Sequence, residues 1–240
     1  MLEFSVVKRN RNRLLALTGL TVKEFNSLLP FFDEAYTKLC EGETTLNGSK
    51  RVRSVGGGCG SGLKPAAQKL LFILVYLKTY PLQIVMGEMF DMSQAGANQW
   101  IHRLLPVIRL ALDRMGVKPE RQGDQFAESE RSRNDPKDYI VDGTERRRQR
   151  PKDAEKQALH YSGKKKMHSD KNIVIVNRKS KRVGFLGATY EGKAHDKKMV
   201  DDAKVKYPRG TLLHKDTGFQ GYEPAVRETR QPKKSRAAKS

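Results

Sequence analysis

Apolar residues recur at helical spacing through the first half of the chain. In the second half they come in alternation or in short β-branched runs. Thr21-Val22-Lys23-Glu24 has the spacing of a capping box, and Phe25, Leu28, Leu29 and Phe32 follow on one helical face. Pro65 stands where a proline opens a helix, and the stripe Leu70, Leu71, Leu74 and Leu77 runs to a stop at Tyr80-Pro81. A short helix is predicted from Leu82 to Phe90, then a tight break at Asp91-Met92-Ser93. Ser93 caps the next helix, which Pro106 is expected to end, and a further helix reaches Met115. Farther on, Tyr139-Ile140-Val141 predicts a strand ending at Asp142-Gly143. Asn172 to Asn177 predicts a second strand and Arg182 to Tyr190 a third, joined by a short charged turn. His195 to Lys206 has helical character, and Thr211 to His214 reads as a short strand ending at Lys215-Asp216.

Two arrangements follow. A short helix, a three-residue turn and a helix with a polar outer face form the helix-turn-helix pattern. Ala97, Trp100, Ile101 and Leu104 make the inner face, with Trp100 as a core anchor. Gln94, Asn98, Gln99, His102 and Arg103 point outward, where they can reach base edges or phosphates. The plainer alternative is a helical bundle with a polar surface. The later order of strand, strand, strand, helix, strand matches an RNase H-like core, in which the fourth strand lies beside the first. Asp142 and Asp216, 74 residues apart, then occupy adjacent strands. Two neighbouring carboxylates repel unless cations lie between them. Magnesium suits one or two carboxylates plus substrate phosphate, and two ions roughly 4 Å apart can serve both the attacking and the leaving oxygen of a phosphodiester. Against this stands the ordinary role of such aspartates as turn or cap residues.

Charge sharpens the picture. The 240 residues hold 47 Lys and Arg against 27 Asp and Glu, a formal charge of +20, with 37% apolar residues. This balance argues against a disulfide scaffold or a membrane protein and favours a polyanion partner, although a high pI can also serve solubility alone. Residues 1–136 carry 19 basic and 14 acidic residues, and residues 137–240 carry 28 and 13. The expected organisation is an N-terminal helical segment with a Gly-rich loop at 1–63, a helix-turn-helix region at 64–118, a linker at 119–136 and an α/β core at 137–240. The fold class is therefore α+β. Ser54 to Gly62 holds five glycines, but Leu63 separates Gly62 from Lys64, so the loop lacks the ending of a phosphate loop. Cys40 and Cys59 show no metal spacing, the N-terminus has no apolar signal core, and Leu70 to Leu77 is too short to span a bilayer. A cytoplasmic protein is expected.

Arg146, Arg147, Arg148 and Arg150 directly follow the first strand and read as clamps on a nucleic-acid backbone. Lys164, Lys165 and Lys166 read as phosphate contacts or as a solvated charge run. His195-Asp196 either orients substrate or metal or caps the following helix, with Asp196 near its positive end.

Several motifs then fall in one order. They are Asp142-Gly143-Thr144-Glu145-Arg146, Arg150-Pro151-Lys152-Asp153, Tyr161-Ser162-Gly163-Lys164-Lys165-Lys166 and Gly192-Lys193-Ala194-His195-Asp196-Lys197-Lys198. Asp216-Thr217-Gly218-Phe219-Gln220-Gly221-Tyr222 and Gln231-Pro232-Lys233-Lys234 complete the series. Together with Leu77 to Pro81 and Met89 to Leu105, they resemble the motifs of DDE transposases of bacterial insertion sequences. The group it most resembles is the one named for insertion sequence five, related to harbinger-type elements. The resemblance covers about residues 60–234. It implies an RNase H-like nuclease that cuts its element's terminal inverted repeats and joins them to target DNA. It implies that Asp142 and Asp216 are the first and second catalytic aspartates and metal ligands, with Mg2+ or Mn2+, two ions, as cofactor. The family's third acidic residue is a later glutamate. The chain stops 24 residues after Asp216, so no residue is assigned to that role. A split or frameshifted transposase is expected, lacking the later strand and helices and leaving an exposed sheet edge. It would act as a homo-oligomer or with a second chain carrying the missing part. The alternative is a non-catalytic DNA-binding regulator of transposition.

Overall fold

Two hydrophobic clusters that share no residue organise the protein. The computed structural model describes residues 1–41, 48–50, 52, 63–131 and 133–232. The Gly-rich stretch from Ser54, Cys59 and the residues beyond Pro232, Lys233 and Lys234 among them, lie outside the described residues. The chain divides into two units, Met1–Val117 and Lys118–Ser240.

The first unit is helical: α1 (Phe4–Val7), α2 (Arg11–Thr18), α3 (Val22–Tyr36), α4 (Ala66–Thr79), α5 (Gln83–Phe90) and α6 (Gln94–Arg114). The capping box forms as its spacing predicts. Thr21 Oγ1 accepts the Glu24 amide at 3.3 Å, and Glu24 Oε2 accepts the Thr21 amide at 2.8 Å. Those bonds, the backbone one foremost, hold the Glu24 carboxyl below its usual range. Phe25, Leu28 and Phe32 of α3, Leu70, Leu71 and Leu74 of α4 and the inner face of α6 make one core, whereas Leu77, expected on the same stripe, is exposed. Tyr80 and Asp91 close α4 and α5 in the left-handed conformation, each returning its amide to a carbonyl of the last turn.

Pro106 does not end a helix: α6 runs unbroken from Gln94 to Arg114. The buried stripe Trp100, Ile101, Leu104, Val107, Ile108 and Ala111 passes straight through it. The proline itself is exposed, as is His102, whose carbonyl loses its donor and can turn to water. Packing therefore overrides the local break.

The second unit is built on a six-stranded sheet with β1 (Asp138–Arg147), β2 (Tyr161–Ser162), β3 (Met167–Asn177), β4 (Val183–Glu191), β5 (Leu212–Lys215) and β6 (Glu228–Arg230). β3 pairs antiparallel with β1 on one side and with β4 on the other, and β2 continues that outer edge at Met167 and His168. On its far side β1 pairs with β5 in parallel, and β5 with β6 in parallel. The fourth long strand thus lies beside the first, as expected. The helices are α7 (Phe126–Ser129), α8 (Ala154–His160) and α9 (Asp196–Ala203). Val141, Ile173, Ile175 and Leu213 bury one face of the sheet with Met199 and Val200 of α9. Ile140, Val174, Val176 and Leu212, on the other face, are only partly covered.

Three expectations change. β1 does not stop at Asp142-Gly143 but pairs with β3 as far as Arg147↔Ser169. Its polar extension is held by opposite charges in register, Glu145↔Lys171 and Arg146↔Asp170. The stretch expected as a linker is folded onto the second unit. The Glu120 amide donates to Gly184 O and the Leu186 amide to Glu120 O (2.8 and 2.9 Å). Phe126 is fully buried against Tyr139, Phe185 and Tyr207. Glu130, also buried, accepts from Arg182 at 2.6 Å and from the Tyr139 hydroxyl at 3.0 Å. Burial and then the Glu130 charge push that hydroxyl's pKa up. Finally, the edge of β5 that was expected to be bare is covered by a short further strand, β6.

Candidate active site

The register decides how the two aspartates meet. Asp138↔Leu212 through Val141↔Lys215 is a constant offset of parallel pairs, and one more step sets Asp216 opposite Asp142. Asp216 has extended backbone (φ −80°, ψ 169°), so the strand direction carries through it before the short 3-10 turn Thr217–Phe219. Neighbouring strands lie about 4.8 Å apart, and side chains opposite each other share a face. Asp142 and Asp216 are both exposed, and both line one open cavity of about 510 Å³. Val141 and Lys215 point the other way and are buried; Lys215 donates to Tyr222 O and to Glu223 Oε1.

Each carboxylate accepts the amide of the residue that follows it, Asp142 within β1 and Asp216 at the start of the 3-10 turn. Asp142 Oδ1 accepts the Gly143 amide at 2.8 Å, and Asp216 Oδ1 accepts the Thr217 amide at 2.6 Å. One oxygen of each carboxylate is thus engaged by the next amide, and the second makes no hydrogen bond among the described residues. Two exposed carboxylates side by side are hard oxygen donors of the kind Mg2+ and Mn2+ take. Among the described residues no group of three or more His, Cys, Asp and Glu is placed to hold a metal ion.

The same cavity collects residues whose place the sequence pattern does not announce. His214 precedes Asp216 by two residues and so shares its face; its Nε2 stands 3.0 Å from Asp138 Oδ1. Arg230 of β6 lies opposite His214, and the Gln231 side chain donates to Asp216 O at 2.8 Å. Strand alternation alone points to His214 once Asp216 is chosen. Arg230 needed the β5–β6 pairing, which three polar residues do not reveal.

The basic residues separate. Arg146 shares the Asp142 face by alternation and is anchored on Asn172 Oδ1 at 2.9 Å, whereas Arg147 falls on the opposite face. Arg148 pairs with Asp170 at 3.0 Å, and Arg150 donates to Gln157 Oε1 at 2.9 Å. Lys164, Lys165 and Lys166 stand exposed at the tip joining β2 to β3, with Lys166 in the left-handed conformation.

In the first unit, α5, the turn at Asp91 and α6 form the expected helix pair. Ala97, Trp100, Ile101 and Leu104 are buried. Gln94, Gln99, His102 and Arg103 are exposed and Asn98 is half-buried. The Arg103 guanidinium lies 5.0 Å from the Trp100 ring, a cation–π contact that steadies an otherwise exposed side chain.

Residues 141–239 match the family described as DDE superfamily endonuclease, and residues 61–113 match the family described as helix-turn-helix of DDE superfamily endonuclease. These matches support a DDE superfamily transposase. The helix-turn-helix and endonuclease segments of such a transposase imply DNA binding, and endonucleases of this superfamily generally use divalent metal ions. No curated protein and no solved structure matches the chain. Among the described residues no helix is long and apolar enough to cross a membrane.

Proposed function

We propose that the chain binds the ends of an insertion sequence of the insertion-sequence-five group and catalyses metal-dependent cleavage and transfer of DNA strands. The observation that carries this reading is the register that sets Asp142 opposite Asp216 on the open face of the sheet. Their free carboxylate oxygens would hold Mg2+ or Mn2+. When bound, the metal supplies Lewis acidity to the phosphodiester and makes water or a 3′ hydroxyl a better nucleophile. Arg230 places a positive charge at the cavity for a backbone phosphate. Arg146, Arg148, Arg150 and the lysines at 164–166 hold DNA farther along the unit, with Arg147 reaching it from the opposite face. Gln94, Asn98, Gln99, His102 and Arg103 of α6 read the element's inverted repeats.

The test is nicking of plasmid DNA that carries the genomic sequences flanking the coding region. Nicking should require Mg2+ or Mn2+ and should disappear in Asp142→Asn and in Asp216→Asn. Nicking that survives either change overturns the assignment. A second reading, a regulator that occupies the ends without cutting them, draws on the first unit having a core of its own beneath the helix-turn-helix. It expects end binding that is lost on replacing Asn98 and Arg103, with no nicking under any metal.

A further inference from the structure

Asp196, at the first turn of α9, lies behind the sheet, on the side away from the Asp142 and Asp216 side chains. Its carboxylate nonetheless packs against Gly143, next to Asp142 in β1, and Gly218, in the turn after Asp216. A Cβ added at Gly143 would meet Asp196 Oδ1 at 2.9 Å, and one added at Gly218 would meet Asp196 Oδ2 at 3.0 Å. At each glycine the three nearest atoms all belong to Asp196. Neither glycine has a positive φ, so backbone conformation does not demand glycine at either position. What both leave is room for one carboxylate, an oxygen to each glycine.

We propose that Asp196 is a positioning residue that sets the separation of Asp142 and Asp216. The proposal rests on the reading of those two residues as the metal-binding pair. Backbone pairing between β1 and β5 ends at Val141↔Lys215, one residue short of the aspartates. Beyond that point β1 stays paired with β3 alone, β5 gives way to the 3-10 turn, and Asp142 and Asp216 carry like charges that repel. Gly143 directly follows Asp142 and Gly218 closely follows Asp216, so a group seated against both glycines fixes the gap that strand pairing no longer controls. Asp196 is itself held. Lys171 Nζ stands 3.5 Å from its Oδ1, donates to Ala194 O at 3.0 Å and pairs with Glu145 Oε1 at 3.3 Å. Lys171 also offsets a third negative charge brought close to the pair. Gly143 faces α9 while Asp142 faces the cavity, which separates this role from that of a third metal ligand.

Mn2+ binding to the full chain, followed by electron paramagnetic resonance, tests the proposal without relying on activity. Asp196→Ala is expected to weaken Mn2+ binding about tenfold, as loss of an outer support of a metal site does. Asp196→Asn keeps the shape and the approach to Lys171 and should bind close to the parent. Gly143→Ala displaces the carboxylate and should match Asp196→Ala, and the two changes together should cost no more than either alone. Without metal, Gly143→Ala should lower the melting temperature of the parent but not that of Asp196→Ala. Unchanged binding by Asp196→Ala overturns the proposal, as does additivity of the two changes. So does Asp196→Asn losing binding as fully as Asp142→Asn, since Asp196 would then be a ligand. Parent-like Mn2+ binding by Asp142→Asn instead overturns the underlying reading of the pair.

Discussion

A single carboxylate, Glu145, shows how this sheet manages charge. It is three residues past Asp142 on the opposite face, nearly buried, and accepts from Ser169 at 3.2 Å. Burial raises its pKa, but bonds from Ser162 and the Lys171 ammonium outweigh that and bring it below its ordinary 4.5. A group whose folded pKa is depressed contributes stability above its unfolded pKa and loses it as pH falls through the folded value. Glu145→Gln should therefore lower the melting temperature at neutral pH, and the gap from the parent should close as pH drops below about 4.5. A gap that persists in acid would assign the effect to packing instead. Phe126 argues the neutral counterpart. Its ring is fully buried among three aromatic rings, and Phe126→Ala should cost about 3–5 kcal/mol in chemical denaturation of the second unit.

Elements carry their own lessons. The capping box, the Ser93 cap and the apolar segments of β1, β3, β4 and β5 were legible, because each depends on residues within a few positions of one another. Thr21→Ala should cost about 1 kcal/mol, read in the thermal unfolding of the first unit. The reach of β1 past Gly143 was not legible, because its polar half is stabilised by partners on β3 some 26 residues away. Pro106 misleads for a related reason: a local rule loses to a buried stripe that runs through it. β6 went unread since three polar residues become a strand only when β5 offers its edge.

For the whole molecule, charge is the accessible variable. A chain of net charge +20 that binds phosphates should hold DNA with strong salt dependence. Replacing Lys164, Lys165 and Lys166 with alanine should weaken binding on all sequences alike. It should also flatten the log–log salt slope by up to about 0.9 for each phosphate that is no longer neutralised. Replacing Asn98 should instead reduce the preference for element ends and leave the slope nearly unchanged. Binding measured from low to physiological salt on end and random duplexes separates the two. A triple-lysine variant with the parent's slope would return those residues to a solvated face.

The sequence by itself determined the helical unit with its caps and inner face, the order of the long strands and the basic surplus toward the C-terminal half. It also marked Asp142 and Asp216 as the candidate carboxylates, although Asp142 lies within its strand rather than at its end. Those features follow from periodicity, local hydrogen bonding and summed charge, which act over short distances or need no geometry. Only the tertiary structure decided that the two aspartates share a face, that His214 and Arg230 join them, and that Asp196 seats against both glycines. It also decided that the stretch around Phe126 belongs to the core. Each of these depends on strand register or on packing between residues tens of positions apart, and neither is written in any single stretch of the chain.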